Sequence, residues 1–139
     1  MQEYNKLFNT ADASADDMID YIMDTFAANS FPAEKANQLR LGIEEAIVNV
    51  CNYAYIHNFP VTTGPVEITV RIDGNAFFVE IRDEGIPYNP LKSPTPELWA
   101  PAEEKEIGGL GIYLIKQMTD DISYENDGKS NFLRLTIMA

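Results

Sequence analysis

Three short segments of this 139-residue chain carry polar or glycine residues that the surrounding hydrophobic pattern does not require. In the first, Glu45, Asn49 and Asn52 stand at positions i, i+4 and i+7 of a predicted helix, which places them on one face. Asparagine is a mediocre helix former, so two on one face are unusual unless the face has a function. The face is either a solvated surface or a carboxylate and amide oxygens directed at a metal–phosphate group, because Mg²⁺ accepts hard oxygen ligands and keeps several waters.

The second segment is the end of a predicted strand, where the apolar alternation stops at Asp83 and the chain turns at Gly85. Asp and Gly are common where a strand runs into a loop, so the segment fits an ordinary strand exit. It also fits a carboxylate at the sheet edge that accepts a hydrogen bond from an exocyclic amine, which would read adenine. Gly85 would then leave room for the ring, since it has no Cβ.

The third segment, Gly108-Gly109-Leu110-Gly111, precedes an apolar helical run. Glycines allow a backbone to approach a ligand closely, and a helix that begins directly afterwards points its free N–H groups at that ligand. Such an arrangement suits phosphate, although a plain flexible loop has the same composition. The proline- and charge-rich stretch before it, residues 88–107, is long for a connection in a compact domain and is interpreted as a lid.

The elements that must position these segments follow from hydrophobic periodicity. Ser14 can cap a first helix, Pro32 suits the start of a second, and Asp73-Gly74-Asn75 suits a hairpin turn. The predicted order is helix 14–28, helix 32–55, hairpin 66–81, loop 84–107, helix 109–119 and hairpin 122–137. This order predicts a single α+β domain over residues 1–139, a two-layer α/β sandwich with helices on one face of a mixed, mainly antiparallel sheet.

Composition narrows the classes of function. The formal net charge of −12 argues against nonspecific nucleic-acid binding and fits a partner with a basic face. One histidine and one cysteine cannot build a typical zinc site, and a single cysteine fits a reducing cytoplasm. The chain lacks an apolar stretch long enough to span a bilayer, and its first residues lack the pattern of a secretory signal. We therefore expect a cytoplasmic protein.

The three segments together resemble the ATPase superfamily of gyrase, heat-shock chaperones, sensor histidine kinases and mismatch-repair proteins. Their order and spacing match its N box and its two glycine boxes. The sequences of the segments are most similar to those of the bacterial anti-sigma-factor serine/threonine kinases, which are stand-alone domains. The segments that carry the resemblance are Glu45-Ala-Ile-Val-Asn49-Val-Cys-Asn52-Tyr-Ala-Tyr55, Asp83-Glu-Gly85-Ile-Pro-Tyr-Asn-Pro90 and Gly108-Gly-Leu-Gly-Ile112.

The resemblance implies a Bergerat-type, histidine kinase-like ATPase fold that binds ATP with Mg²⁺. It assigns Glu45 as the general base or the group that orients the attacking atom, and Asn49 as the metal ligand. It assigns Asp83 to the adenine amine, and Asn52 and Gly85 to the nucleotide pocket. The residues it assigns to phosphate binding are Gly109, Leu110 and Gly111. Two departures stand out: Ile86-Pro87 occupies the stretch where the first glycine box often continues to a second glycine, and Tyr53 stands where many relatives carry a histidine.

In this branch the implied substrate is a serine on a small anti-anti-sigma-type (STAS-like) protein, and the kinase also sequesters a sigma factor, often as a homodimer. We consider three hypotheses: such a kinase, a non-catalytic ATP-responsive binding switch, and an interaction domain with a degenerate pocket. Retention of Glu45 favours the kinase. Lys92, Lys105 and Lys116 are candidate phosphate contacts, with the alternative that each is a plain surface lysine.

Overall fold

A computed structural model describes residues 1–92 and 109–139 of the chain. The described elements are five strands and three α-helices. In chain order they are β1 (Gln2–Asn9), α1 (Ala15–Ala28), α2 (Ala33–Tyr53), β2 (Pro65–Asp73), β3 (Ala76–Asp83), α3 (Gly109–Met118), β4 (Asp121–Asn126) and β5 (Asn131–Met138). None of the helices in the described ranges is both long and apolar enough to cross a bilayer.

The five strands form one sheet in the order β1-β2-β3-β5-β4. All four pairings between described neighbours are antiparallel, as the prediction of a mainly antiparallel sheet requires. The two predicted hairpins are present, and Gly74 adopts the positive φ of 61° that the β2–β3 turn needs. The predicted α+β architecture is therefore confirmed.

The core lies between one face of the sheet and the helices. Alternate residues of β2, β3 and β5 point into it because successive side chains of a strand face opposite sides. The sheet's contribution to this buried layer is Val66, Ile68, Val70, Ile72, Phe77, Val79, Ile81, Leu133, Leu135 and Ile137. Helix α1 contributes one apolar stripe to this layer, namely Met18, Ile19, Ile22, Met23 and Phe26.

Helix α1 begins where its sequence predicts. Ser14 accepts a hydrogen bond from the Asp17 amide, and the Asp17 carboxylate accepts one from the Ser14 amide. This reciprocal pair satisfies two backbone donors at the helix start, which a helix otherwise leaves unbonded. The cap fixes the register in which the apolar stripe meets the sheet.

Helix α2 lies between α1 and α3 and supplies the centre of the helical layer. Its residues Leu39, Ile43, Ala46 and Ile47 are buried. Gly42 is also buried, and a Cβ on it would lie 2.6 Å from the Cβ of Ile115 in α3. The absence of that atom lets α3 pack directly against α2, the helix that carries the first predicted site segment.

Strand β1 is absent from the sequence-based prediction. Among the described strands it pairs only with β2, at the edge of the sheet, and of its eight residues only Phe8 is buried. Its core-facing row continues from Phe8 to Lys6 and Tyr4, so the alternation that reveals a half-buried strand is broken by a lysine. An edge strand with this composition gives almost no periodic signal.

Candidate functional site

The first predicted segment lies on α2, beside its buried face. Glu45 and Asn49 are both half-buried, and the Asn49 side-chain Nδ2 donates a hydrogen bond of 3.3 Å to Glu45 Oε1. Burial raises the pKa of the Glu45 carboxyl, and the hydrogen bond from Asn49 offsets part of the rise. Asn52, one turn further, is exposed. The helix therefore presents a carboxylate of increased basicity, held by a neighbouring amide.

The second segment places a carboxylate at the end of the apolar layer. Asp83 is the last residue of β3, and it faces the helices because it continues the inward row of Val79 and Ile81. Only 6% of its surface is exposed. Its Oδ1 accepts hydrogen bonds from the Gly85 amide at 2.8 Å and from the Asn131 side chain at 3.0 Å. Burial nevertheless raises the pKa of Asp83, and these two hydrogen bonds oppose that shift.

The inner face of the sheet becomes polar at this end. Asn131, the first residue of β5, is paired in register with Asp83 and is 5% exposed. Tyr124 and Asn126 of β4 both hydrogen-bond to Asn131. The predicted hairpin 122–137 did not identify this group as part of a site. The sequence does contain a signal for it. If the alternation of the strand is extended by one step, position 131 lies on the same face as Leu133, where a polar residue is unusual.

The end of α2 is attached to the turn that follows Asp83. The Ile86 amide donates a 2.9 Å hydrogen bond to the Ala54 carbonyl, and a Cβ on Gly85 would lie only 2.1 Å from that oxygen. A glycine is thus required for this close approach, and Ala54 fills the space of the missing Cβ, which the sequence-based prediction assigns to the adenine ring. The contact fixes the helix of the first segment relative to the carboxylate of the second.

Tyr55 makes a second attachment in the same place. Its hydroxyl donates to the Pro65 carbonyl at the start of β2 and accepts a 2.8 Å hydrogen bond from the Glu84 amide. The side chain is 4% exposed, and burial raises the pKa of Tyr55 to about 12. The hydroxyl therefore stays protonated and able to donate at neutral pH.

The third segment is only partly described. Gly109, Leu110 and Gly111 form the first turn of α3, so a helix begins at the predicted position. Residues 93–107 of the predicted lid, including Lys105, lie outside the described residues. Lys116 donates a 3.0 Å hydrogen bond to the Leu91 carbonyl, which favours the structural interpretation of this lysine over phosphate contact.

The donor set at α2 fits a metal that is shared with a ligand. Since Asn49 uses its Nδ2 to bond Glu45, its Oδ1 remains as a metal donor beside the Glu45 carboxylate. Among the described residues, no group of three or more His, Cys, Asp or Glu side chains is placed to hold an ion. Mg²⁺ bound through one or two protein oxygens plus phosphate oxygens and waters is consistent with both observations.

A separate groove of about 710 Å³ lies between β1 and α1. Phe8, Tyr21 and the Lys6 ammonium line it, with the ammonium 5.0 Å from the Phe8 ring centroid. The acidic residues along the groove are Asp12, Asp17, Asp20 and Asp24. None of its lining residues comes from the three predicted segments, so those segments define a different site, where α2 meets the end of β3.

The chain matches the family model described as "Histidine kinase-like ATPase domain" over residues 8–137. The match contains every described element except the beginning of β1 and the last residue of β5. It therefore includes all three segments singled out above.

Curated relatives are similar over about 70% of the chain. The serine-protein kinase RsbW of Oceanobacillus iheyensis is 30% identical over 105 residues, covering 69% of this chain and 61% of the relative. The anti-sigma F factor of Bacillus subtilis is 25% identical, covering 74% and 69%. The serine/threonine-protein kinase BtrW of Bordetella bronchiseptica is 26% identical, covering 70% and 67%. The match thus spans less than two thirds of the length of the first of these proteins.

Solved structures with the same fold are more distant in sequence. The histidine kinase domain of a blue-light-activated kinase from Erythrobacter litoralis has a TM-score of 0.54 and 13% identity, covering 89% of this chain and 60% of that one. The histidine kinase AdeS of Acinetobacter baumannii has a TM-score of 0.52 and 14% identity, covering 99% and 68%. These two likenesses concern the fold alone.

Proposed function

Because this chain belongs to the histidine kinase-like ATPase domain family, we propose that it is an ATP-dependent serine/threonine protein kinase of the anti-sigma type. The single observation that carries the proposal is the half-buried Glu45 carboxylate, whose pKa burial raises, beside the Asn49 amide. A general base works best when its pKa lies near the operating pH, and a raised glutamate pKa moves in that direction. The names of the relatives support the same reaction class.

The phosphoryl acceptor in this proposal is a serine hydroxyl of a partner protein. Glu45 takes the hydroxyl proton while the serine oxygen bonds to the γ-phosphorus of ATP and the bond to the β–γ bridging oxygen breaks, leaving ADP. Asn49 would hold Mg²⁺ through Oδ1, and the ion would supply charge neutralisation on the phosphate oxygens. Such transfer needs alignment and electrostatic stabilisation more than covalent help from the protein.

The rest of the pocket serves binding and closure. Asp83 accepts a hydrogen bond from the adenine amine, and Gly85 and Asn52 belong to the nucleotide pocket. The first turn of α3, Gly109–Gly111, contacts the phosphates through its backbone. Residues 88–107 act as a lid of this single domain and exclude water when they close.

The proposed partners follow from the names of the relatives. "Anti-sigma F factor" supports binding of a sigma factor, and the name "serine-protein kinase" supports a serine of a protein as phosphoryl acceptor. A small anti-anti-sigma-type (STAS-like) protein is the acceptor that the sequence resemblance implies. The net charge of −12 fits a partner that presents a basic face. We propose a cytoplasmic homodimer as the working form.

The test is transfer of radiolabelled phosphate from ATP to candidate STAS-like proteins by the wild type, Glu45→Ala and Asn49→Ala. Glu44→Ala is the matched control, because Glu44 precedes Glu45 on the same helix but pairs with Arg40. We expect wild type and Glu44→Ala to label the partner, and Glu45→Ala to lose at least about 100-fold in rate, the contribution of a general base. If the wild type binds ATP but labels no partner, the kinase proposal is wrong and the protein is a non-catalytic ATP-responsive switch.

A further inference from the structure

One buried amide at the polar end of the sheet has a single possible orientation. The Asn131 Oδ1 accepts hydrogen bonds from the Tyr124 hydroxyl and from the Asn126 side-chain amide, the latter at 3.1 Å. The Tyr124 hydroxyl is itself hydrogen-bonded by the backbone of Tyr88. Since a backbone amide only donates, the hydroxyl accepts there and directs its proton to Asn131. The carbonyl side of Asn131 is thereby fixed.

The nitrogen side of the same amide meets only acceptors. Asn131 Nδ2 lies 3.0 Å from Asp83 Oδ1, 2.9 Å from the Ile86 carbonyl and 3.3 Å from the Gly85 carbonyl. Rotating the amide by 180° would set its oxygen against three acceptors and its nitrogen against two donors, which is costly for a side chain 5% exposed. The arrangement therefore determines how Asp83 is held.

Both donors to Asp83 reach the same oxygen. The Gly85 amide and Asn131 each bond Oδ1, and no residue that the structure describes donates to Oδ2. Oδ2 is thus the oxygen that remains for a ligand donor. A 6-amino purine would offer an N–H to it, whereas a 6-oxo purine would place a carbonyl oxygen against the carboxylate.

We propose that Asn131, oriented by Tyr124 and Asn126, is a positioning residue that holds the Asp83 carboxylate for base recognition and so determines selection of 6-amino over 6-oxo purine nucleotides. This inference rests on the proposed ATP site. A site built to hydrogen-bond an N–H group discriminates strongly against an analogue that lacks it, provided that its acceptor is fixed. Here the acceptor is Asp83, and it is fixed by Asn131 of the neighbouring strand β5, which residues of β4 hold in turn.

The experiment compares ATP with inosine triphosphate by calorimetric titration in the presence of MgCl₂. The variants are Asn131→Ala, Asn131→Asp and the milder Tyr124→Phe, with Ser123→Ala as control because Ser123 is exposed on the same strand as Tyr124. We expect wild type and control to prefer ATP over inosine triphosphate to the same extent. Relative to them, the preference should be about 10-fold or more smaller in folded Asn131→Ala, and should fall by less in folded Tyr124→Phe.

The Asn131→Asp variant adds a readout that a merely structural role would not change. In the wild type, ATP affinity falls as the pH is lowered, because protonation removes the Asp83 acceptor. In the variant, two facing carboxyl groups share a proton on acidification, which restores a donor to Asp83, so ATP affinity rises before it falls. Tyr55 and Tyr124 both interact electrostatically with Asp83. They stay protonated over this range, since burial raises the pKa of each.

Two results separate this inference from the proposed function. If wild type prefers ATP and folded Tyr124→Phe and Asn131→Ala keep the same preference, the positioning role is wrong while the ATP site stands. If wild type binds neither nucleotide, both the proposed function and this inference fail. Should Asn131→Ala not fold, the nucleotide preference of Tyr124→Phe decides the question alone.

Discussion

The carboxylates of Glu45 and Asp83 are partly or fully buried, and neither has a cationic partner among the described residues. Glu45 has an amide neighbour, and Asp83 has an amide neighbour and a backbone N–H. In both cases burial raises the pKa more than the hydrogen bonds lower it. A fold that keeps carboxylates in such surroundings gives up stability, and perturbed carboxyl groups of this kind cluster at functional sites.

The variant Asp83→Asn tests that cost directly. Since the folded-state pKa of Asp83 lies above its unfolded value, the charged form opposes folding above the folded pKa, and this penalty vanishes below the unfolded pKa. We therefore expect Asp83→Asn to unfold at higher urea concentration than the wild type at pH 7, with the difference shrinking on acidification, and to bind ATP about 10-fold or more weakly. A less stable variant at pH 7 would contradict this view; exposed Asp121→Asn is the control.

The hydrogen bond between Asn49 and Glu45 makes a separate prediction. Asn49 stabilises the charged form of Glu45, so Asn49→Ala should raise the pKa of Glu45 further above its ordinary value. The measurement is carboxyl-carbon NMR titration of the nucleotide-free protein. Asn52→Ala, on the same helix face but exposed, should leave the Glu45 titration unchanged. An unchanged or lower pKa in Asn49→Ala would show that the hydrogen bond does not form.

Residue types and spacing were sufficient to single out Glu45, Asn49 and Asp83 as candidates, because the surrounding hydrophobic pattern does not require a polar residue at any of these positions. They were insufficient for Asn131, whose role depends on its cross-strand pairing with Asp83. Register between distant strands is a tertiary property, and a single asparagine before an apolar run is also typical of an ordinary turn.

At the scale of elements, the attachment of α2 to the β3 turn aligns the two halves of the site. The chain brings these backbones together at Gly85, where the Ala54 carbonyl occupies the space of a Cβ. The periodic elements α1, α2, β2, β3 and β5 were predictable because their buried faces repeat regularly. Strand β1 was not, since it is held by β2 alone and buries one residue.

Gly85→Ala should therefore destabilise the protein and weaken ATP binding together. The added Cβ would meet backbone atoms that cannot move without displacing α2, and overpacking of this kind costs about 1–3 kcal/mol. Urea unfolding measures the loss. Gly74→Asn is the matched control, because Gly74 also lies in a turn but has open space around it, and asparagine tolerates its positive φ. Equal stability of Gly85→Ala and wild type would contradict the close contact.

At the scale of the whole molecule, the net charge of −12 sets a condition on any nucleotide. A polyanionic ligand approaches an acidic protein unfavourably unless cations or backbone dipoles offset the repulsion. In the described part of the chain no cluster of side chains holds a cation on its own. In the proposed site the ion would be shared between Asn49 and the nucleotide phosphates, so we expect it to contribute to nucleotide binding and not to folding.

Chelation should separate these roles experimentally. EDTA should leave the thermal midpoint of the nucleotide-free protein unchanged, because the described fold contains no metal cluster. With ATP at 100 times its dissociation constant, Mg²⁺ should add about 2.7 kcal/mol of stability, a shift of several degrees that EDTA abolishes. A fall in the midpoint of the nucleotide-free protein would reveal a structural ion instead.

The proposed function requires that α2 and the end of β3 form a single ATP site. Calorimetric titration of ATP with MgCl₂ into wild type, Asn49→Ala and Asp83→Asn tests it. We expect one saturable site per chain in the wild type, and affinities lower by about 10-fold or more in each variant, because each removes a polar contact to the ligand. Absence of binding by wild type at millimolar ATP, or undiminished binding by both variants, would contradict the claim.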